Sequence, residues 1–281
     1  MKEKLRLRFV LKVCSAIFGI LILLTLLIIA NGLLGNPVSY LLAKNSANRQ
    51  LAAHYSETGY RLDSVSYSFK EGCYYANASI PNTLDSAFTM SFDLLGRSLG
   101  DDYESRVTNG FNTFNRLETA YRALCGGVLD SQTFPYQKRI SIGFGTLKTG
   151  LDEYHFVPEG IYNLQELGTE YGELTVYFDD PEVNYERAAE RLLELKEWMD
   201  KGGVTFGRIY FVLQTPFKSN DPELQCAERY EDREEIVLKD FPAADIYEEG
   251  LVARVEANAV QTAAEFAAED AENAKEIKQK S

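Results

Sequence analysis

No charged residue occurs between Lys12 and Lys44, and within that gap residues 13–30 are almost unbroken apolar sequence, extended by Asn31-Gly32-Leu33-Leu34. This run constrains the chain more than any other feature. As a helix at about 1.5 Å per residue, residues 13–34 would be roughly 33 Å long, enough to cross about 30 Å of hydrocarbon. Lipid cannot satisfy an open backbone, so a single crossing segment must be helical. Lys2, Lys4, Arg6, Arg8 and Lys12, interrupted only by Glu3, precede the run. Basic flanks stay on the cytoplasmic side, so everything beyond about residue 36 is expected outside the cytoplasm. Two other readings compete. A cleaved signal peptide would use Ala30-Asn31-Gly32 as its small-residue cut, and a soluble protein would bury the run as a core helix. A signal h-region is only about 7–15 residues, so a retained anchor is the preferred reading. Cys14 stands before the main run, where lipid-attachment cysteines do not lie, and serves as helix filler.

Charge divides at the same place. The whole chain has 29 basic and 42 acidic residues, net −13. The first twelve residues hold five basic and one acidic; from residue 221 onward there are 17 acidic and 7 basic. So acidic a body lacks the basic surface that phosphate neutralisation needs, and a nucleic-acid partner is excluded. At 45% hydrophobic and 25% charged, the chain is neither disordered throughout nor a multi-pass transporter. Beyond the anchor stand Cys73, Cys125 and Cys226. An odd number without a C-x-x-C pair excludes a dense disulfide framework; one bridge or three free thiols both remain open.

Periodicity then gives an α+β body. Pro37 opens a helix to about Tyr55. Leu62, Val65, Tyr67 and Phe69 alternate as a strand with a slip near Ser64. A turn at Lys70-Glu71-Gly72 leads into a second strand over residues 73–80, making a hairpin. A third strand covers residues 87–92. One long helix is expected over residues 101–124, striped by Tyr103, Val107, Phe111, Phe114, Leu117 and Tyr121 and closed by Cys125-Gly126-Gly127. The second half has strands at residues 139–147, 173–179, 204–213 and 236–238. Helices are expected at residues 184–201 and 244–268, and a polar loop at 214–235. The resulting layout is a cytoplasmic stub at 1–12, a transmembrane helix at 13–34, antiparallel-sheet-plus-helix domains at 37–130 and 131–268, and a polar tail at 269–281 expected to be frayed.

The basic start, the apolar span, Gly35-Asn36-Pro37 and the helix containing Leu42-Ala43-Lys44 resemble the YfjL-like proteins of Firmicutes. So do residues 65–76 (VSYSFKEGCYYA), as that family's hairpin, and residues 245–252 (DIYEEGLV), as its C-terminal helix start. The resemblance implies a membrane-anchored ectodomain in two parts. It supplies no catalytic residue, and cysteine at 73 and 226 is not part of it.

Catalytic patterns fail on inspection. Gly96-Arg97-Ser98-Leu99-Gly100 matches the nucleophile-elbow spacing between a strand and a helix, and Asp130, Asp152 and His155 follow in hydrolase order. The preceding strands are hairpin-connected, however, whereas a hydrolase sheet needs crossovers. Residues 145–150 have P-loop glycine spacing, but Leu151 stands where lysine must reach phosphate, and Lys148 replaces the third glycine of a dinucleotide fingerprint begun at Gly143. Two histidines, His54 and His155, give no zinc motif. Asp101-Asp102 and Asp179-Asp180-Pro181-Glu182 offer calcium oxygens without EF-hand spacing; acids favouring helix N-termini explain both. Seventeen Tyr and 16 Phe stand against one Trp. Tyr74 and Tyr75, adjacent in a strand, must face opposite sides, so one is free to meet a glycan or peptide.

The reading is therefore a membrane-anchored extracytoplasmic binding or interaction protein. It has no evident catalysis, no cofactor and no metal, and its partners are the membrane, through the N-terminal helix, and a protein or envelope ligand. A cell-envelope serine hydrolase using Ser98 and a passive spacer at the membrane surface are the alternatives.

Overall fold

The computed structural model describes residues 2–131, 140–145, 156–217 and 233–280. The chain forms two compact units, one of residues 1–114 with 151–160, the other of residues 115–150 with 161–281. The division falls inside a helix, where the sequence reading sets its boundary at 130/131.

The first unit begins with α1 (Lys2–Leu34), broken from α2 (Pro37–His54) by Gly35 and Asn36. Four strands follow: β1 (Arg61–Ser68), β2 (Cys73–Ser79), β3 (Phe88–Phe92) and β4 (Ser98–Asp101). They pair in sequence order and antiparallel throughout. The slip expected near Ser64 is a bulge between Leu62 and Ser64. One sheet face packs on α2 through Ala43, Ala47 and Leu51, which meet Tyr74, Ala76, Ala78, Phe88, Met90 and Phe92. Alanines on both surfaces let helix and sheet approach closely, and the large rings fill the margins. One aromatic cluster sits here: Tyr55, Tyr60, Phe88 and Tyr103 lie with centroids 4.9 to 5.9 Å apart.

The break between α1 and α2 is a built joint. Gly35 has φ +70°, and a Cβ there would lie 2.5 Å from the Tyr74 hydroxyl and 2.8 Å from the Tyr67 ring. The Tyr74 hydroxyl accepts from the Asn36 N–H (2.8 Å) and donates to the Asn36 carbonyl (2.9 Å). The Asn36 side chain caps α2 by accepting from the Ser39 N–H, and its amide donates to Asn31 of α1. Tyr67 donates to the Gly32 carbonyl at 3.0 Å.

The long helix expected over residues 101–124 is two pieces. A π-helical turn (Glu104–Thr108) precedes α3 (Phe111–Leu129). Gly110, at φ +74°, separates them, because the Phe156 carbonyl sits 2.7 Å from where its Cβ would be. The apolar stripe runs past this break, which is why spacing alone does not reveal it. Nor does Gly126-Gly127 end α3, which runs on to Leu129.

A buried clamp fastens residues 156–160 to this unit. Asp85, 1% exposed, accepts from the Thr113 hydroxyl and the Glu159 N–H, both at 2.9 Å. Glu159 in return accepts from the Leu84 and Asp85 N–H groups. Asp85→Ala strands the buried Thr113 hydroxyl and the partly buried Glu159 N–H, which costs about 2 kcal/mol. Hydrogen exchange at the Leu84, Asp85 and Glu159 amides of the detergent-solubilised chain is therefore expected to accelerate roughly thirty-fold.

The second unit holds β5 (Ile140–Phe144), α4 (Leu164–Tyr171), β6 (Gly172–Asp179), α5 (Tyr185–Lys201), β7 (Arg208–Gln214), β8 (Glu235–Pro242) and α6 (Leu251–Lys280). Sheet order is β5-β6-β7-β8. The outer pairs are antiparallel, but β6 and β7 are parallel, so this sheet is mixed and not wholly antiparallel as expected. The cause is α5. A helix of 17 residues returns the chain to the end where β6 began, and the next strand must run the same way. Ala188, Leu192, Leu195 and Met199 of α5 are buried, as are Leu251, Val255 and Ala259 of α6. Tyr121 of α3 is fully buried, stacked on Phe144 and donating to the Thr205 carbonyl at 2.6 Å. Two expectations shift. The last helix starts at Leu251 after a short 3-10 turn at residues 243–245, and it continues through Asp270 to Lys280 where fraying is expected. Residues 271–275 are exposed, and the Ala, Glu and Lys of that segment favour helix by intrinsic preference.

Candidate functional site

The outer face of the first sheet is the candidate site. Cross-strand register places Ser66, Tyr75, Ser91 and Gly100 in one row across all four strands, and Ser64, Asn77 and Thr89 in the next. Period-two alternation sends Val65, Ala76 and Met90 into the core and leaves this face polar. The second row is a hydrogen-bonded ladder: the Thr89 hydroxyl donates to Asn77 Oδ1 at 3.0 Å, and Asn77 Nδ2 donates to the Ser64 hydroxyl at 3.1 Å. Together with Leu99, Asp101 and Asp102, residues of these two rows line an open depression of about 590 Å³. Tyr74 and Tyr75 divide as adjacent strand residues must. Tyr74 is buried at the joint, while Tyr75 is half-buried on the open face.

The acids at the rim are already engaged. Asp102 accepts from the Thr89 N–H at 2.6 Å and pairs with Arg106 at 3.3 Å; Asp101 accepts from Gln50 at 3.0 Å. In the second unit, Asp180 meets Arg187 and Arg191, each at 2.9 Å. Burial alone would raise its pKa. The Glu182 N–H and the two guanidinium groups outweigh burial and hold the carboxyl below its ordinary value. Asp179 takes Gln214 and Arg233. Both acidic pairs thus face donors of the protein itself. Among the described residues no group of three or more His, Cys, Asp or Glu is placed to hold a metal ion.

Ser98 is not at a strand-to-helix elbow. It opens β4, opposite Phe92, and its hydroxyl donates to Gln50 at 3.4 Å. Gly96, at φ +74°, serves the turn before β4, and Gly100, at φ +134°, lies within β4 opposite Ser91. Asp130 follows α3 and His54 ends α2. Asp152, His155, Cys226 and the P-loop-like residues 146–151 lie outside the described residues. Cys73 and Cys125 are free, buried thiols. Burial, then the neighbouring Glu71, raises the Cys73 pKa, and burial pushes Cys125 up to about 11. Neither is an activated nucleophile.

Family models decide the relationship. The YfjL-like N-terminal domain matches residues 10–98, and the YfjL-like C-terminal domain matches residues 122–256. The chain belongs to the YfjL-like family. The N-terminal match runs from within α1 to the first residue of β4, so the apolar helix, the joint and most of the polar sheet face fall within one YfjL-like domain. No curated protein and no solved structure matches the chain. The ladder on the open sheet face was readable only as strand polarity. Ser64, Ser66, Asn77, Thr89 and Ser91 alternate as any solvated strand face does, and their convergence depends on register.

Proposed function

We propose that this YfjL-like chain is a single-pass membrane protein whose folded part lies outside the cytoplasm and binds a polar envelope ligand or protein on the outer face of its first sheet. The observation that carries this reading is the anchor itself. Residues 15–54 contain a stretch, of mean hydropathy 2.7 and with none of it buried, that is long and apolar enough to cross a membrane. A folded monomer does not leave so large a contiguous apolar surface in water. The joint at Gly35-Asn36 ties that helix to a unit whose open face offers hydroxyls, a carboxamide and one tyrosine ring. Such a surface suits hydrogen-bonded recognition with stacking on Tyr75, and the role is binding without catalysis.

Two measurements test it. Protease added to intact cells should digest the bulk of the chain; protection until the cells are permeabilised would overturn the topology. A photo-crosslinking amino acid at Tyr75 of the full chain in its own cells should give a discrete adduct that the same group at Val260 does not. Identical patterns at the two positions would remove the sheet face as the binding surface.

A further inference from the structure

The end of the first unit nearest α1 carries an apolar rim. On α2, Val38 and Leu41 are 67% and 55% exposed and Leu42 is also exposed, all on the side away from the buried stripe of Ser39, Ala43, Ala47 and Leu51. Farther along that outward side the residues become Asn45, Asn48 and Arg49. Polarity therefore changes within three helical turns, in the direction leading away from α1. A helix in uniform solvent has no reason for such a gradient.

The turn between β3 and β4 adds to the rim. Asp93 ties it: its Oδ1 accepts from the Leu95 and Arg97 N–H groups, and its carbonyl accepts from the Gly96 N–H. So fastened, the turn presents Leu94 and Leu95 at its tip, Leu95 being 66% exposed. Tight turns normally carry Gly, Asn, Asp or Ser at such positions. The turn rests on the same part of α2, since a Cβ on Gly96 would lie 2.9 Å from the backbone of Leu42. Position relative to the anchor is fixed as well. Tyr67 of β1 donates to the carbonyl of Gly32, inside the last turn of α1, and Tyr74 of β2 holds Asn36 through two hydrogen bonds. Tyr67, half-buried at that level, matches the aromatic belt of a membrane interface. The sheet cannot stand away from the point where α1 ends.

We infer that Val38, Leu41, Leu42, Leu94 and Leu95 form a second lipid contact, seated in the outer leaflet of the bilayer that α1 spans. The inference rests on the reading of α1 as a membrane span. The rim is continuous with α1, and its apolar side chains are presented by a fastened turn and a capped helix. The first unit therefore lies against the membrane surface at a set angle.

The test is depth-dependent quenching of tryptophan fluorescence in the full chain, reconstituted into phosphatidylcholine vesicles with plain or dibrominated acyl chains. Leu95→Trp reports the rim, Ile28→Trp reports the span, and the parent chain with its own Trp198 gives the background. With both variants, brominated lipid should reduce the added emission at least two-fold. Quenching of Ile28→Trp without quenching of Leu95→Trp would overturn the second contact and leave the span intact. Quenching of neither would overturn both. Val38→Trp reads the same surface should Leu95→Trp fail to reconstitute, and its quenching supports the proposal while its absence, with Ile28→Trp quenched, overturns it.

Discussion

A chain carrying Leu23→Arg together with Leu26→Arg is expected to leave the membrane fraction. Each arginine at the centre of a spanning helix opposes insertion by about 2.5–3.5 kcal/mol, and each lost leucine removes roughly 0.5 kcal/mol that favoured it. The pair thus shifts partitioning by about 6 kcal/mol or more. Both leucines are exposed, Leu23 at 61% and Leu26 at 56%, alongside Ile17, Phe18, Ile22 and Ile29. Because no described part of the protein buries them, the substitutions break no packing among the described residues. Flotation on a density gradient is the measurement: the parent and a Leu23→Ala/Leu26→Ala control should rise with lipid, and the double arginine chain should remain at the bottom. If the arginine chain floats with the control, α1 does not hold this protein in a bilayer, and the proposed topology fails with it.

How much of this was legible beforehand depends on whether a feature is local in sequence. The apolar helix, the Asn36-Pro37 start of α2 and the bulge near Ser64 all rest on neighbouring residues, and each lies where the sequence puts it. So does the opposition of Tyr74 and Tyr75. Features set by distant partners were hidden. Gly110 is needed because of the Phe156 carbonyl, 46 positions later in the chain, so the stripe through Val107 and Phe111 reads as one helix. β4 is four residues long, preceded by Gly96 and containing Gly100, and gains its identity only by pairing with β3. The parallel pair is a different case. Strand, helix and strand over residues 173–213 were each visible, but the sheet was expected to be antiparallel, and the parallel pairing of β6 with β7 emerges only from how α5 returns the chain. The candidate site is the least legible part. Its rows exist only once four strands are in register, and Ser, Thr and Asn on a strand face look the same whether they meet water or a ligand.

Asp180 carries the second large effect, on stability. Its side chain is 5% exposed and sits between Arg187 and Arg191, both on α5, just past the end of β6. It also accepts from the Glu182 N–H at 3.1 Å, closing the turn that leads into α5. One carboxylate thus holds the exit of β6 to the start of the crossover helix. Asp180→Ala takes the shared carboxylate from two partly exposed arginines, which keep Glu190 and Glu194, and leaves the Glu182 N–H without its acceptor, which together cost roughly 1–3 kcal/mol. Asp180→Asn keeps the shape and loses the charge, so its cost is smaller. The native carboxyl has a pKa below its ordinary value near 3.8. A depressed folded pKa stabilises the protein above the unfolded pKa and ceases to do so as pH falls through the folded one. The stability gap between the parent and Asp180→Asn, followed by urea unfolding in detergent, should therefore be flat from pH 7 to about 5 and close as pH falls below about 4. A gap that widened on acidification would mean that the carboxyl is destabilised as an anion, and the two arginines would not be the partners that hold α5 to the sheet.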